Sequence, residues 1–375
     1  MRKTIKKAAA VLMTAAMAVG MMAVPAMAEG GNPLNICIIT SSGVDDGSFN
    51  QDCYNGILTF LETHSDCTVA DIKESDLAQL VPTVEKSVGD YDVFVLPGFN
   101  FAGIGDIVNN NPDKYFIVVD STIQDSEGNP VNAAEAGNVY TMTFKEEESG
   151  FFAGLAAALS TTSNKVAVVN GIAFPSNVNY EFGFMSGVNY ANAKYGTAAE
   201  IVEIPSYAGT DLGGNNVGGN YVGDFADEAT GKVVGEALIG EGCDVIFVAA
   251  GSSGNGVFTA AKEASGVYVI GCDVDQYDDG VNGDSNIILT SGLKLMHTNV
   301  TKQLEAIYDG TFTGEDALLG ADTDSTGFIS AEGRQQLSED ALAKMTECYD
   351  LLKAGEIVPA SGSNGYTPTD FPGLN

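Results

Sequence analysis

A 375-residue chain with 50 acidic and 17 basic side chains carries a formal charge of −33 and lacks the basic surface that nucleic acid or anionic lipid requires. Its 45% hydrophobic content is ample for a packed core, so one large or two mid-sized domains are expected and a disordered chain is not. Six cysteines without a C-x-x-C pair and only two histidines, His64 and His297, argue against a zinc site.

Residues 1–28 read as an address and not as a fold element. Arg2, Lys3, Lys6 and Lys7 form a positive cluster, Ala8 to Val24 is almost wholly apolar, and Ala26-Met27-Ala28 supplies a small-x-small cleavage pattern. The run is alanine-rich and too short for a comfortable membrane span, so an exported, extracytoplasmic protein is expected. Cleavage there leaves 50 acidic against 13 basic residues, a balance of −37, and no nearby cysteine to carry a lipid anchor.

Beyond the leader, apolar runs bounded by turn residues predict strands at 35–40, 93–97, 115–120, 139–144, 165–170, 244–250, 267–273 and 286–290. Runs apolar on both faces mark parallel strands covered from both sides. Helical stretches alternate with them, at 51–63, 147–160, 227–239, 255–264 and 293–308. This alternation predicts right-handed βαβ units, here enough for two doubly wound α/β lobes with a crossing near residues 143–146. The Gly/Asn-rich stretch 207–223 reads as a long loop. Cys37, Cys243 and Cys272 fall in or beside strand patterns and read as buried thiols, although an even number of cysteines permits three bridges.

Open α/β sheets bind ligands beyond the carboxyl ends of their strands. The first strand runs into Ser41-Ser42-Gly43-Val44-Asp45-Asp46-Gly47-Ser48-Phe49-Asn50. Ser48 or Asn50 suits a helix cap there, but capping does not explain the large apolar Phe49. The next strand ends are Pro97-Gly98-Phe99-Asn100 and Asp120-Ser121-Thr122. In the second half, Gly251-Ser252-Ser253-Gly254-Asn255-Gly256 matches neither glycine-rich phosphate loop. The acidic stretch from Asp273 to Asp284 fails the EF-hand spacing. Lys294 reads either as a solvated helix residue or as a polar contact inside a cleft. No nucleophile elbow or metal-binding histidine pair is present, and nothing singles out a catalytic carboxylate pair.

In this order, these segments resemble the basic membrane protein family of solute-binding proteins, also called purine nucleoside receptor A-like. The matching pieces are Asp46-Gly-Ser-Phe-Asn-Gln51, Phe144-Lys-Glu-Glu-Glu-Ser-Gly-Phe-Phe-Ala-Gly154, Ala249-Ala-Gly-Ser-Ser-Gly-Asn-Gly256, Ile270-Gly-Cys-Asp-Val-Asp-Gln276 and Leu289-Thr-Ser-Gly-Leu-Lys294. The resemblance implies a type I periplasmic-binding-protein fold: two Rossmann-like lobes joined by a three-segment hinge, which enclose a ligand and deliver it to an ABC permease and its ATPase. The lobes are expected at 29–143 plus about 275–292, and at 144–274 plus about 293–375. By the same resemblance Phe49 and Phe225 sandwich a base, and Asp120, Asp273 and Lys294 hold ribose hydroxyls. Ser41, Asp46, Asn50, Phe99 and Gly251 complete the pocket. Family members commonly place an aspartate early in the first loop to read the base edge, where this chain has Ser41 or Ser42. The reading is a monomeric, cofactor-free binding protein for a purine-nucleoside-like solute. The alternatives are an exported nucleoside-cleaving enzyme using Asp273 or Asp275 as base, and a ligand sensor docking to a signalling receptor.

Overall fold

The computed structural model describes residues 31–375, so the leader expected at 1–28 lies outside the described residues. The chain first lays down β1 (Asn35–Thr40), α1 (Phe49–Thr63), β2 (Thr68–Lys73), α2 (Leu80–Ser87), β3 (Val93–Pro97), α3 (Gly105–Asn110), β4 (Tyr115–Val119), α4 (Ala133–Ala136) and β5 (Val139–Phe144). It then passes to a second lobe through α5 (Glu146–Ser160), β6 (Lys165–Asn170), α6 (Pro175–Tyr195) and β7 (Glu200–Ile201). A small hairpin follows, β8 (Gly209–Thr210) and β9 (Asn216–Gly218), inside the stretch expected to be loop. The lobe continues with α7 (Glu228–Gly240), β10 (Val245–Ala249), α8 (Ser253–Glu263), β11 (Tyr268–Asp273), a second hairpin of β12 (Val281–Asn282) and β13 (Ser285–Asn286), and β14 (Ile288–Lys294). The chain returns to the first lobe for α9 (Met296–Tyr308) and β15 (Glu315–Leu319), and finishes in the second with β16 (Thr326–Phe328) and α10 (Glu339–Lys353).

Each lobe holds one six-stranded sheet, ordered β15-β5-β4-β3-β1-β2 and β16-β14-β11-β10-β6-β7. Within these two sheets all pairings are parallel except that of β16 with β14. Successive side chains of a strand point to opposite faces, and here they feed separate cores. Ile36, Ile38, Val93, Val95, Ile117 and Val119 pack under α1 and α9, while Cys37, Ile39, Phe94, Leu96, Phe116 and Val118 pack on the other face. The second sheet divides in the same way, Val166, Val168 and Phe247 against Ala167, Val169 and Val248. All six cysteines are buried and free.

The pairing moves the expected lobe boundaries. β14 was read as ending at 290 within the first lobe, and 293–308 as a helix of the second. Instead β14 runs on to Lys294 in register with β11, pairing Leu293 with Asp273, so residues 275–292 belong to the second lobe. The following helix packs Met296, Val300 and Leu304 against Ile57 and Phe60 of α1, which puts 296–319 in the first. Hydrophobicity gave no warning, because a strand buried on both faces looks the same in either sheet.

Three one-residue crossings join the lobes, at Lys145, Leu295 and Gly320. Lys145 (φ −85°, ψ 71°) and Leu295 (φ −82°, ψ 72°) share the inverse γ-turn conformation. The crossings are tied side by side: Lys145 donates its backbone N–H to Leu319, Glu148 accepts from Ala321 N at 2.7 Å, and Leu295 N donates to Ser325.

Helices α5 and α6 meet through Gly150, Gly154, Gly183 and Gly187, where backbone touches backbone. A methyl group at Gly154 would overlap the Phe184 carbonyl, and one at Gly187 the Phe151 carbonyl. Gly154→Ala is therefore expected to lower the unfolding free energy by about 1–3 kcal/mol, the usual penalty of overpacking. The measurement is the urea midpoint at unchanged slope; an unmoved midpoint would place the helices farther apart.

Candidate functional site

The carboxyl ends of both sheets face one another across a cleft with an empty volume of about 680 Å3, counted out to its mouth. All ten residues singled out from the sequence line it: Ser41, Asp46, Phe49, Asn50, Phe99 and Asp120 from the first lobe, and Phe225, Gly251, Asp273 and Lys294 from the second. Phe174, Asn177 and Tyr180, on or just before α6, line it as well, and sequence reasoning passed over them.

One end of the cleft is aromatic. Phe99 of the first lobe meets Phe174 of the second at 5.6 Å between ring centroids, and Phe174 in turn meets Phe225 at 6.0 Å. Phe225 is seated by glycines, since a side chain at Gly171 would collide with its ring and Gly251 lies directly behind it. Gly98, at φ 114°, sets the turn that carries Phe99, a conformation open to glycine.

The other end is charged and dry. Lys294 closes β14 with its side chain 2% exposed, its Nζ 2.6 Å from Asp120 Oδ2, 3.7 Å from Glu146 Oε1 and 3.9 Å from Asp273 Oδ1. The same ammonium lies 4.8 Å from the centre of the Phe49 ring and 5.5 Å from that of Tyr180, both within cation–π range. Phe49 therefore faces the charged end, whereas Phe225 belongs to the aromatic end. Asp273 accepts from the Tyr180 hydroxyl at 2.8 Å and, across the cleft, from Ser48 Oγ at 2.9 Å. Asp120 and Asp273 each follow or end a strand with positive φ, 61° and 69°. Left-handed backbone at a non-glycine residue is strained and collects at binding sites. The Oδ1 of Asp120 is buried with no hydrogen-bond partner among the described residues.

Three carboxylates share one buried cation. Burial works against the charge on Lys294, but Asp120, Asp273 and Glu146 outweigh it and hold its pKa above the ordinary lysine value. Burial also pushes Glu146 up, to about 7, against the pull of Lys294. Asp46 has a second part besides lining the cleft. Its carboxylate accepts the backbone N–H groups of Ser48, Asn50 and Gln51 and so caps α1, a task the sequence reading gave to Ser48 or Asn50. Asn50 instead donates to Ser42 Oγ at 2.8 Å.

A family model described as ABC transporter substrate-binding protein PnrA-like matches residues 34–204 and 215–356. The CD4+ T-cell-stimulating antigen of Listeria monocytogenes is 30% identical over 340 residues, covering 85% of this chain and 86% of that protein. The ABC transporter nucleoside-binding protein BmpA of Lactococcus lactis is 30% identical over 299 residues, 75% of this chain and 77% of its own. Among solved structures, a solute-binding protein of an ABC transporter system from Aeropyrum pernix superposes with a TM-score of 0.74 over 89% of this chain and 95% of that one, at 22% identity. The fold is that of type I periplasmic binding proteins.

The proton on Glu146 makes stability depend on pH. With its folded pKa near 7, above the ordinary 4.5, the contribution is complete below about 4.5 and is lost as pH rises through about 7. Urea unfolding of Glu146→Gln should show a smaller loss of stability between pH 5 and pH 8 than the unaltered protein. An equal loss in both would mean that Glu146 is ionised throughout.

Proposed function

Because the chain belongs to the PnrA-like family of ABC transporter substrate-binding proteins, its task is to capture a solute for a membrane transporter, and we propose that this solute is a purine nucleoside. One observation carries the reading: a single cleft combines a run of aromatic rings with a buried carboxylate oxygen, Asp120 Oδ1, that has no hydrogen-bond partner among the described residues. A heterocycle gains most from aromatic faces. Vicinal hydroxyls are matched donors for Asp120 and Asp273, and Lys294 keeps donors to offer an oxygen in return, having only Asp120 within hydrogen-bond distance. The nucleoside-binding name of the Lactococcus lactis relative supports the same assignment.

The base would lie against Phe99 and Phe225, with the sugar toward Asp120, Asp273 and Lys294 and Phe49 where the two meet. Substrate-binding proteins of ABC importers work outside the cytoplasm, which agrees with the leader read at 1–28. No helix among the described residues is long and apolar enough to cross a membrane.

Among the described residues Lys294 is the one lysine or arginine on the cleft wall, against Asp46, Asp120 and Asp273. A phosphate would enter that field uncompensated. Calorimetry at one salt concentration should find adenosine, inosine or guanosine bound and its monophosphate about a hundredfold weaker, the roughly 3 kcal/mol that one close like charge costs in a moderately polarisable site. Equal or tighter binding of a monophosphate would overturn the assignment. Phe225→Ala should weaken the nucleoside by about 1–3 kcal/mol with the urea midpoint unmoved; undiminished affinity would make Phe225 a packing residue only.

A further inference from the structure

The aromatic end of the cleft does not close. A second chamber, with an empty volume of about 680 Å3 to its mouth, continues from it and shares Ser41, Ser42, Asn100 and Phe225 with the main cleft. It shares none of Asp120, Asp273, Glu146 or Lys294, so it opens from the end opposite the charge cluster. Its remaining walls are Lys73 at the end of β2, Ser75, Leu77, Ile172, Asp224 and Ala226. Leu77 is 44% exposed and, with Ile172 and the Phe225 edge, gives the chamber an apolar side. Lys73 supplies the opposite character. Its Nζ comes within 3.9 Å of where a Cβ on Gly43 would lie, so it folds back over the first loop, and it pairs with no carboxylate among the described residues. The other charged wall residue, Asp224, turns one carboxylate oxygen to its own loop, accepting from Ala226 N at 2.6 Å.

Resting on the nucleoside reading, the geometry points to a substituent pocket: we propose that the protein takes purine nucleosides extended at the 6-position of the base, the extension entering this chamber and ending in an acceptor or carboxylate that meets Lys73. In a purine the 6-position lies on the ring remote from the sugar bond. A sugar held at Asp120 and Asp273 would turn that ring, which carries position 2 as well, toward Phe225, and the 6-position is the one assigned to the chamber beyond Ser41 and Ser42. A fully walled pocket would reject anything larger than an amino or oxo group there; this one opens to solvent and carries a cation, Lys73, beside the first loop. The polar wall at the junction is mild, since Ser42 Oγ already accepts from Asn50 and the hydroxyls of Ser41 and Ser42 carry no charge to expel a linker.

The test is calorimetry with adenosine, N6-benzyladenosine and N6-(carboxymethyl)adenosine on the full exported chain and two variants. In the unaltered protein both substituted nucleosides should bind within about threefold of adenosine or tighter. Lys73→Met should weaken the carboxymethyl compound alone, by about three- to fivefold at low salt, the size of a solvent-exposed ion pair, and leave adenosine unchanged. Ser75→Trp, at an exposed rim position, should weaken both substituted compounds and spare adenosine. A tenfold or greater loss for both substituted compounds in the unaltered protein, with adenosine bound, would overturn the chamber and leave the nucleoside reading standing. Lys73→Met acting equally on all three compounds, or on none, would overturn the role of Lys73. A protein that binds no nucleoside of any kind would overturn both proposals.

Discussion

A single buried ammonium organises this molecule. Lys294 sits at the end of β14, one residue before the second crossing, and its carboxylate neighbours come from three other places: Asp120 from the opposite lobe, Asp273 from the adjacent strand and Glu146 from the first crossing. Leaving such a charge unpaired in the interior is costly by several kcal/mol, so the partners are obligatory. One cation against three carboxylates overshoots, however. The surplus negative charge is met by a retained proton near Glu146 and by whatever hydroxyl donors enter the cleft. The cleft wall and the crossing between the lobes thus meet in one charge cluster, with Asp120, Asp273 and Lys294 on the wall and Glu146 beside the crossing.

The closed arrangement is held lightly elsewhere. Ser48 reaches Asp273 across the cleft, Gln276 reaches the Gly47 carbonyl at 3.4 Å, and Phe99 touches Phe174. Each contact is of a kind that water can replace when the lobes part. The crossings, by contrast, are braced by Glu148 and by hydrogen bonds between neighbouring linkers, so rotation falls on the dihedrals of Lys145, Leu295 and Gly320.

The strands covered on both faces were legible because continuous apolar runs have few other uses, and the loops after them were legible as cleft walls for the same topological reason. What escaped had weaker or misleading patterns. β2 alternates as Thr-Val-Ala-Asp-Ile-Lys at a sheet edge. The 21 residues of α6 are rich in Asn, Gly and Tyr and are buried on several sides, so no apolar stripe stands out; with α6 went Tyr180. Glu146 falls inside the crossing read at 143–146, but nothing in that reading marks it as a buried partner of Lys294. Its burial comes from the crossing, a tertiary fact with no local signature. Lys294 had been weighed as a helix residue or a cleft contact, and only the register of β14 against β11 places it on a strand end.

The return of the chain to its first lobe has a temporal consequence. Strand β5 finds its outer neighbour β15 only across an interval of 175 residues, as the Thr141–Asp316 hydrogen bond marks. The α1 face bearing Ile57 and Phe60 waits longer still for the cover of α9. Whichever end of the chain emerges first, its opening lobe stays unfinished until the strands of the second have already appeared. Contacts so distant in sequence are slow to form and leave apolar surface open in the meantime. The lobe nearest the amino end therefore cannot lock early: its last strand and covering helix come only after most of the second lobe.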